Sequence, residues 1–291
     1  MASLKFKYLR PEDLRKLASF EFAPRLIVEG YLAGRHRSLA RGSSIEFRDY
    51  RQYVPGDEPR LIDWRIFART DRHYLRTYEE ETNMECHVFL DSSASMGFGD
   101  RVTKLEYASF FAAAVCYLVV RNTDRVSLQL FDEKIRLFLP PAGTTRHLHN
   151  VLHALERNKA GNRTSVAEAL HRSYPLLKRK GTLIVISDFF DSPAAIFAAL
   201  SPYLHRGFKV HLFHVLAPEE LDLADRGLTT FLDMETDRRV VAHTEDLRAR
   251  YRNAMQEHIN ALRELATRRQ VDYAVARTDS HYFNLFDRLT R

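Results

Sequence analysis

Asp91, Ser93 and Ser95 alternate with Ser92 and Ala94 directly after the apolar run 87–90. Further along, Thr164 follows Ala160-Gly161-Asn162-Arg163, and Ser187-Asp188 follows the apolar run 183–186. Two carboxylates and three hydroxyls are the donors that a hard divalent cation takes. Mg²⁺ asks for about six oxygens at about 2.0–2.1 Å and usually keeps water in part of its shell. Ser93, Ser95 and Thr164 would supply neutral oxygens, and Asp91 and Asp188 would supply charge. If either carboxylate acts through water, the ion keeps an open, electrophilic position that seeks an external carboxylate or phosphate.

Each of these residues also has a plain structural role open to it, because Asp, Ser and Thr cap helices. Asp91 or Ser93 could cap the next helix. Helical periodicity, however, resumes only at Leu105, and Asp100 or Thr103 is better placed to cap it. Ser165-Val-Ala-Glu168 has capping-box spacing, which leaves the preceding Thr164 hydroxyl for other work. Ser192, ahead of Pro193, is positioned to cap the helix after Asp188.

The elements that must position these loops can be read from hydrophobic periodicity. Leu105, Ala108, Ala112, Val115 and Val119 mark one face of a helix. Val126, Leu128 and Leu130 alternate, then Ile135, Leu137 and Leu139 alternate again across Asp132-Glu133-Lys134, which predicts an antiparallel hairpin. Helices are predicted around Leu148–Leu155 and Val166–Leu177, and strands over 183–186, 208–215 and 271–275. A small hairpin over 228–233 and 239–243 precedes a long helix carrying Leu247, Tyr251, Ala254, His258, Ala261 and Leu265 on one face, and Phe283–Leu289 predicts a closing helix. Strands alternating with helices predict an α/β, doubly wound, mostly parallel six-stranded sheet with one antiparallel strand. In such sheets ligands bind outside the carboxyl ends of the strands, where the strand order reverses. The three polar loops are all expected there.

Asp91-x-Ser93-x-Ser95 with Thr164 and Asp188, in this order of strands, resembles the metal-ion-dependent adhesion site of the von Willebrand factor A-type domain. The resemblance covers roughly residues 83–291. It implies a non-catalytic protein-interaction module that holds Mg²⁺ or Mn²⁺ and completes the ion's coordination with a partner's Asp or Glu.

The first eighty residues have a different character. Residues 11–20 and 25–32 read as two short amphipathic helices, and beyond Gly42 the pattern turns irregular and polar-aromatic, with 73–81 as a strand or an extended arm. The segment Gly42–Glu81 carries Glu46-Phe47-Arg48, Tyr50-Arg51-Gln52-Tyr53, Pro55-Gly56-Asp57, Arg60, Ile62-Asp63-Trp64, Ala68-Arg69 and Glu79-Glu80-Glu81. This run is similar to the signature of the bacterial domain of unknown function 58 family, in which it directly precedes an A-type domain. The family's association with MoxR-type AAA+ ATPases implies such an ATPase as a partner. The expected organisation is therefore 1–82, N-terminal helices plus a signature arm packing on the main domain, and 83–291, the A-type domain. The arm's arginines, carboxylates and aromatic rings suit either packing on that domain or docking a partner, since Arg–carboxylate pairing serves both.

Composition excludes several other classes. The chain has 291 residues, 45% hydrophobic and 28% charged, with only 11 Gly and 10 Pro, so it is neither disordered nor low in complexity. Cys86 and Cys116 form no disulfide framework or metal-ligand spacing and read as buried apolar residues. The N-terminus lacks the apolar core of a signal peptide, and the apolar run 110–120 falls short of the roughly 20 residues that span a bilayer, so a cytoplasmic protein is expected. The net charge of +6 comes from 44 basic residues dominated by Arg, spread over both parts of the chain. Only Arg35–Arg51 is locally basic, and nucleic-acid binding there would need charge gathered on one face. A metal-dependent phosphohydrolase at the same loops is the enzymatic alternative. Against it, the position two residues after Asp91 is Ser93 and not a second acid, and no nucleophile elbow or phosphate-binding glycine loop is present.

Overall fold

The computed structural model describes residues 7–10, 13, 17, 45–54, 62–80, 84–223, 227–232 and 239–286. The chain divides into two compact units, one formed by residues 1–29 with 84–291 and the other by 30–83.

In the smaller unit, β1 (Ile45–Gln52) pairs antiparallel with β2 (Tyr74–Glu80), with a register shift between Phe47 and Asp49. Between them lies α1 (Trp64–Thr70). Asp63 caps α1 by accepting a 2.9 Å hydrogen bond from the Arg65 N–H. Phe67 stacks on His73 with ring centroids 4.4 Å apart. The extended reading of 73–81 matches β2, whereas β1 and α1 were expected as irregular chain. Arg, Asp and Tyr crowd this stretch and hide both periodicities.

The larger unit is built on a six-stranded sheet in the order β10-β7-β6-β3-β4-β5. Its strands are β3 (Glu85–Asp91), β4 (Arg125–Phe131), β5 (Ile135–Ala142), β6 (Thr182–Ser187), β7 (Lys209–Leu216) and β10 (Asp272–Arg277). All neighbours pair parallel except β4 and β5, the expected hairpin. A separate hairpin, β8 (Leu228–Leu232) with β9 (Arg239–His243), also forms where the sequence predicts it.

The four central strands, β7, β6, β3 and β4, are buried on both faces. One face packs on α2 (Lys104–Arg121) and α3 (Thr145–Arg157) through Val88, Leu90, Ile184 and Phe213. The other packs through Phe89, Val185 and Leu212 on α4 (Val166–Ser173), α5 (Pro193–His205) and α7 (Thr244–Arg269). A four-residue helix, α6 (Pro218–Leu221), follows β7. Burial on both faces is why these strands read as continuous apolar runs.

Residues 1–29 group with the large unit, apart from 30–83, whereas the sequence predicts 1–82 together as N-terminal helices plus an arm. The cause is apolar burial: Tyr8, Leu9 and Leu17 enter the core beside α2, and Tyr8 meets Phe110 edge-on at 5.1 Å. Lys7 adds an ion pair to Glu106 at 3.1 Å. The helix expected over 11–20 is described only at Asp13 and Leu17, both helical, while 25–32 and the basic stretch before residue 45 lie outside the described residues. At the far end a 3₁₀ turn (Tyr282–Leu285) stands where a longer helix was expected, and 287–291 lie outside the described residues. Among the described residues no helix is long and apolar enough to cross a membrane.

Candidate functional site

β3 is the switch point of the sheet. The chain leaves it through α2 toward β4 on one side, while β6 and then β7 lie on the other, so the carboxyl ends of β3 and β6 form the position where such sheets bind ligands. Asp91 is the last residue of β3, and Asp188 follows the last residue of β6. Both are fully buried.

Asp91 is held on both oxygens. Its Oδ1 accepts the Ser93 N–H at 2.8 Å, and its Oδ2 accepts the Thr164 hydroxyl at 2.9 Å and the Ser187 hydroxyl at 2.6 Å. Ser95 lies in the 3₁₀ turn Ala94–Gly97, its Oγ 3.1 Å from Ser93 Oγ. Four of the five expected site residues are thus joined by direct bonds. The fifth, Asp188, is linked to them electrostatically. Burial, then the negative charge of Asp188, pushes the Asp91 carboxyl up to about 6, against the downward pull of its hydrogen bonds to Ser187 and Ser93. Ser95 and Thr164 are half-buried and reach solvent.

Thr103 accepts the Glu106 N–H at 3.1 Å and caps α2, and Ser165 accepts the Glu168 N–H at 3.4 Å and caps α4. Ser192 occupies the N-cap position of α5 without a side-chain bond, contrary to expectation. Asp191 acts nearby instead, accepting the Ser192 N–H at 2.7 Å and the Ala167 N–H at 3.4 Å.

The loop carrying Thr164 is fixed by polar ties to the loop after β3. Ala94 N–H donates to Asn162 O at 2.8 Å and Gly161 N–H to Ser92 O at 3.0 Å. Asn158 Nδ2 donates to Ser92 Oγ at 2.9 Å, and Asn162 Nδ2 to Asp132 Oδ2 at 2.7 Å. Asn162 takes a left-handed φ of 64°, a conformation that Asn tolerates better than most residues. Phe189 does the same at φ 49°, buried directly after Asp188, with its carbonyl accepting from His258 Nε2 at 2.9 Å. His147 of α3 is buried and donates through Nε2 to Val126 O at 2.8 Å.

Three residues of the site escaped the sequence. Ser187 was read only as the end of a strand. Lys104 and Glu220 were not singled out at all, yet fully buried Lys104 donates to Asp188 Oδ2 at 2.7 Å and to Glu220 Oε1 at 2.6 Å. Burial works against the Lys104 ammonium, but the two carboxylates outweigh it and raise its pKa. One signal was available: Lys104 opens α2, where the helix dipole disfavours a cation, so a lysine there wants anionic company. Gly99 lets the chain return Lys104 to the crevice. Its φ of 136° and the 2.4 Å between a Cβ built there and Val102 O admit glycine alone.

The donor set fits a hard cation. Asp188 Oδ1 is buried without a hydrogen-bond partner, and a buried carboxylate oxygen left so is costly unless something binds it. Among the described residues no group of three or more His, Cys, Asp or Glu side chains could hold a metal, so any ion here depends on hydroxyls beside two carboxylates. That favours Mg²⁺ or Mn²⁺ over a soft metal.

The chain is similar to several known proteins. "Uncharacterized protein Mb1516" of Mycobacterium bovis is 27% identical over 230 residues, 78% of this chain and 72% of that protein. The solved structure of conserved hypothetical protein BatB from Bacteroides thetaiotaomicron is 17% identical, with a TM-score of 0.47 over 71% of this chain and 97% of that one. A von Willebrand factor type A structure from Catenulispora acidiphila is 11% identical, with a TM-score of 0.42 over 75% of this chain and 43% of that one. The family described as "Protein of unknown function DUF58" matches residues 49–261, well over half of the sequence, and the chain belongs to that family.

Proposed function

We propose that this protein is a non-catalytic, metal-dependent interaction module whose crevice binds an acidic side chain of a protein partner. The observation that carries the reading is the buried, unpartnered Asp188 Oδ1 beside the Asp91–Ser93–Ser95–Thr164 cluster. A bound Mg²⁺ or Mn²⁺ would supply the electrophile for an incoming carboxylate. The chain's own residues do the rest. Ser93 N–H, Thr164 and Ser187 orient Asp91, and Lys104 orients Asp188. Ser95 and Thr164, both half-buried, are the hydroxyl residues of the cluster that reach solvent. Phe98 and Phe190, 37% and 41% exposed, follow the two acidic loops and offer apolar contact to residues flanking the partner's acid.

A MoxR-type AAA+ ATPase is the partner that family resemblance favours, and purified proteins test it directly. With Mg²⁺ present the two should form a complex that chelator dissolves and Asp91→Ala prevents while the chain stays folded. Undiminished binding in excess chelator would overturn metal dependence. Metal-stimulated turnover of a generic phosphoester, lost in Asp91→Asn, would replace the reading with a phosphohydrolase.

A further inference from the structure

We infer that Lys104 sets the valence of the cation this site accepts, an inference that rests on the metal-binding reading above. Its ammonium has no solvent exposure and lies between Asp188 Oδ2 at 2.7 Å and Glu220 Oε1 at 2.6 Å. Glu220 is itself fixed, because its Oε2 accepts the Ala217 N–H at 2.9 Å. The Phe190 ring sits 5.0 Å over the ammonium and closes it from above. Lys104 therefore cannot swing out to meet a partner. It is a built-in counter-ion that occupies one oxygen of Asp188 and leaves the other, Oδ1, bare.

Charge balance gives this arrangement its consequence. By formal charge, the three carboxylates of Asp91, Asp188 and Glu220 against the one ammonium of Lys104 leave two net negative charges, the complement of one divalent cation. Sites of this kind tune affinity through the number of charges around the ion, and like charges in a protein interior repel strongly. Without the ammonium the crevice would carry three negative charges and favour a trivalent ion. Without Glu220 it would carry one and favour divalent ions less. Lys104 is thus a specificity-determining residue that touches no partner.

The test is titration of the full chain with Mn²⁺, followed by electron paramagnetic resonance, and with Tb³⁺, followed by sensitised luminescence. Lys104→Met should tighten Tb³⁺ about tenfold or more, and Mn²⁺ by less, so the preference for the trivalent ion grows. Glu220→Gln should weaken both, Tb³⁺ the more. The double variant K104M/E220Q restores the two net charges and removes the unpaired carboxylate that could unfold the single variant. It should return both affinities to within about threefold of the parent, as coupled neighbours do in a double-mutant cycle. A purely structural role for Lys104 predicts that both single variants weaken both ions, and that result, or an unchanged Tb³⁺/Mn²⁺ ratio, overturns the inference. Absence of Mn²⁺ binding by the parent chain would instead overturn the metal reading itself.

Discussion

Ser187 Oγ donates a 2.6 Å hydrogen bond to Asp91 Oδ2 and at the same time accepts the Phe189 N–H at 2.9 Å. One buried hydroxyl therefore ties the end of β6 to the acid at the end of β3 and fixes the turn that presents Asp188. The two acidic loops come from strands nearly a hundred residues apart in sequence. Those strands pair in parallel as far as Leu90 and Ile186, and this bond extends the tie by one residue to the acid itself.

Ser187→Ala should accordingly cost both stability and metal. Loss of a buried hydrogen bond to a charged acceptor is worth about 1.5–3 kcal/mol. The unfolding free energy should fall by that amount, seen as a lower urea midpoint at an unchanged m-value, and Mn²⁺ affinity should fall with it. Full affinity in Ser187→Ala would show that Thr164 and the Ser93 N–H suffice to aim Asp91.

Much of this was legible in the sequence, and what was not has a physical cause. The parallel strands announce themselves because burial on both faces makes them unbroken apolar runs, and the β4–β5 hairpin because its alternation survives on either side of Asp132-Glu133-Lys134. Asp91, Ser93, Ser95, Thr164 and Asp188 are legible because strand ends in this fold are where polar residues need a reason. Lys104 and Glu220 were hidden because each belongs to a helix whose local pattern explains it. Only tertiary contact shows that the lysine meets one acid after β6 and another in α6.

Arg136 should prove a support of the Thr164 loop. It pairs with Asp132 at 3.2 Å and donates to Lys159 O at 2.6 Å, bracing the segment whose Asn162 also binds Asp132. Arg136→Ala should speed amide exchange at Gly161 and Ala94, the two N–H groups that join the loops, and weaken Mn²⁺ binding several-fold. Unchanged exchange at both amides would assign the bracing to Asn158 and Asn162 alone.

Thr103→Ala separates helix capping from site geometry. The lost cap on α2 should cost about 1 kcal/mol in denaturant unfolding. Lys104 follows directly, but its backbone N–H is held independently by Phe98 O at 2.9 Å. Metal affinity should therefore stay within about twofold of the parent while stability drops. A large loss of affinity would mean that the cap, and not the Phe98 tie, places the ammonium.

Acid sensitivity should trace in part to His87, far down β3 from the acidic loops. Its ring is fully buried, with Nδ1 2.7 Å from Ser127 Oγ and Glu85 3.8 Å from Nε2. Burial, helped by the positive charge of Arg206, pushes its pKa down from 6.5 to about 4. A folded-state pKa below the unfolded one means that the unfolded chain takes up the proton first as the pH falls. The neutral ring's contribution is therefore whole above about pH 6.5, drains between 6.5 and 4, and is constant below that. The shift corresponds to roughly 3 kcal/mol across the window. His87→Gln should flatten the dependence of unfolding free energy on pH between 7 and 4.5 by about that much, measured by urea denaturation at both ends. An equally steep dependence in the variant would move the acid sensitivity to other groups, with His211 the next to test, since burial and Lys209 drive its pKa down to about 3.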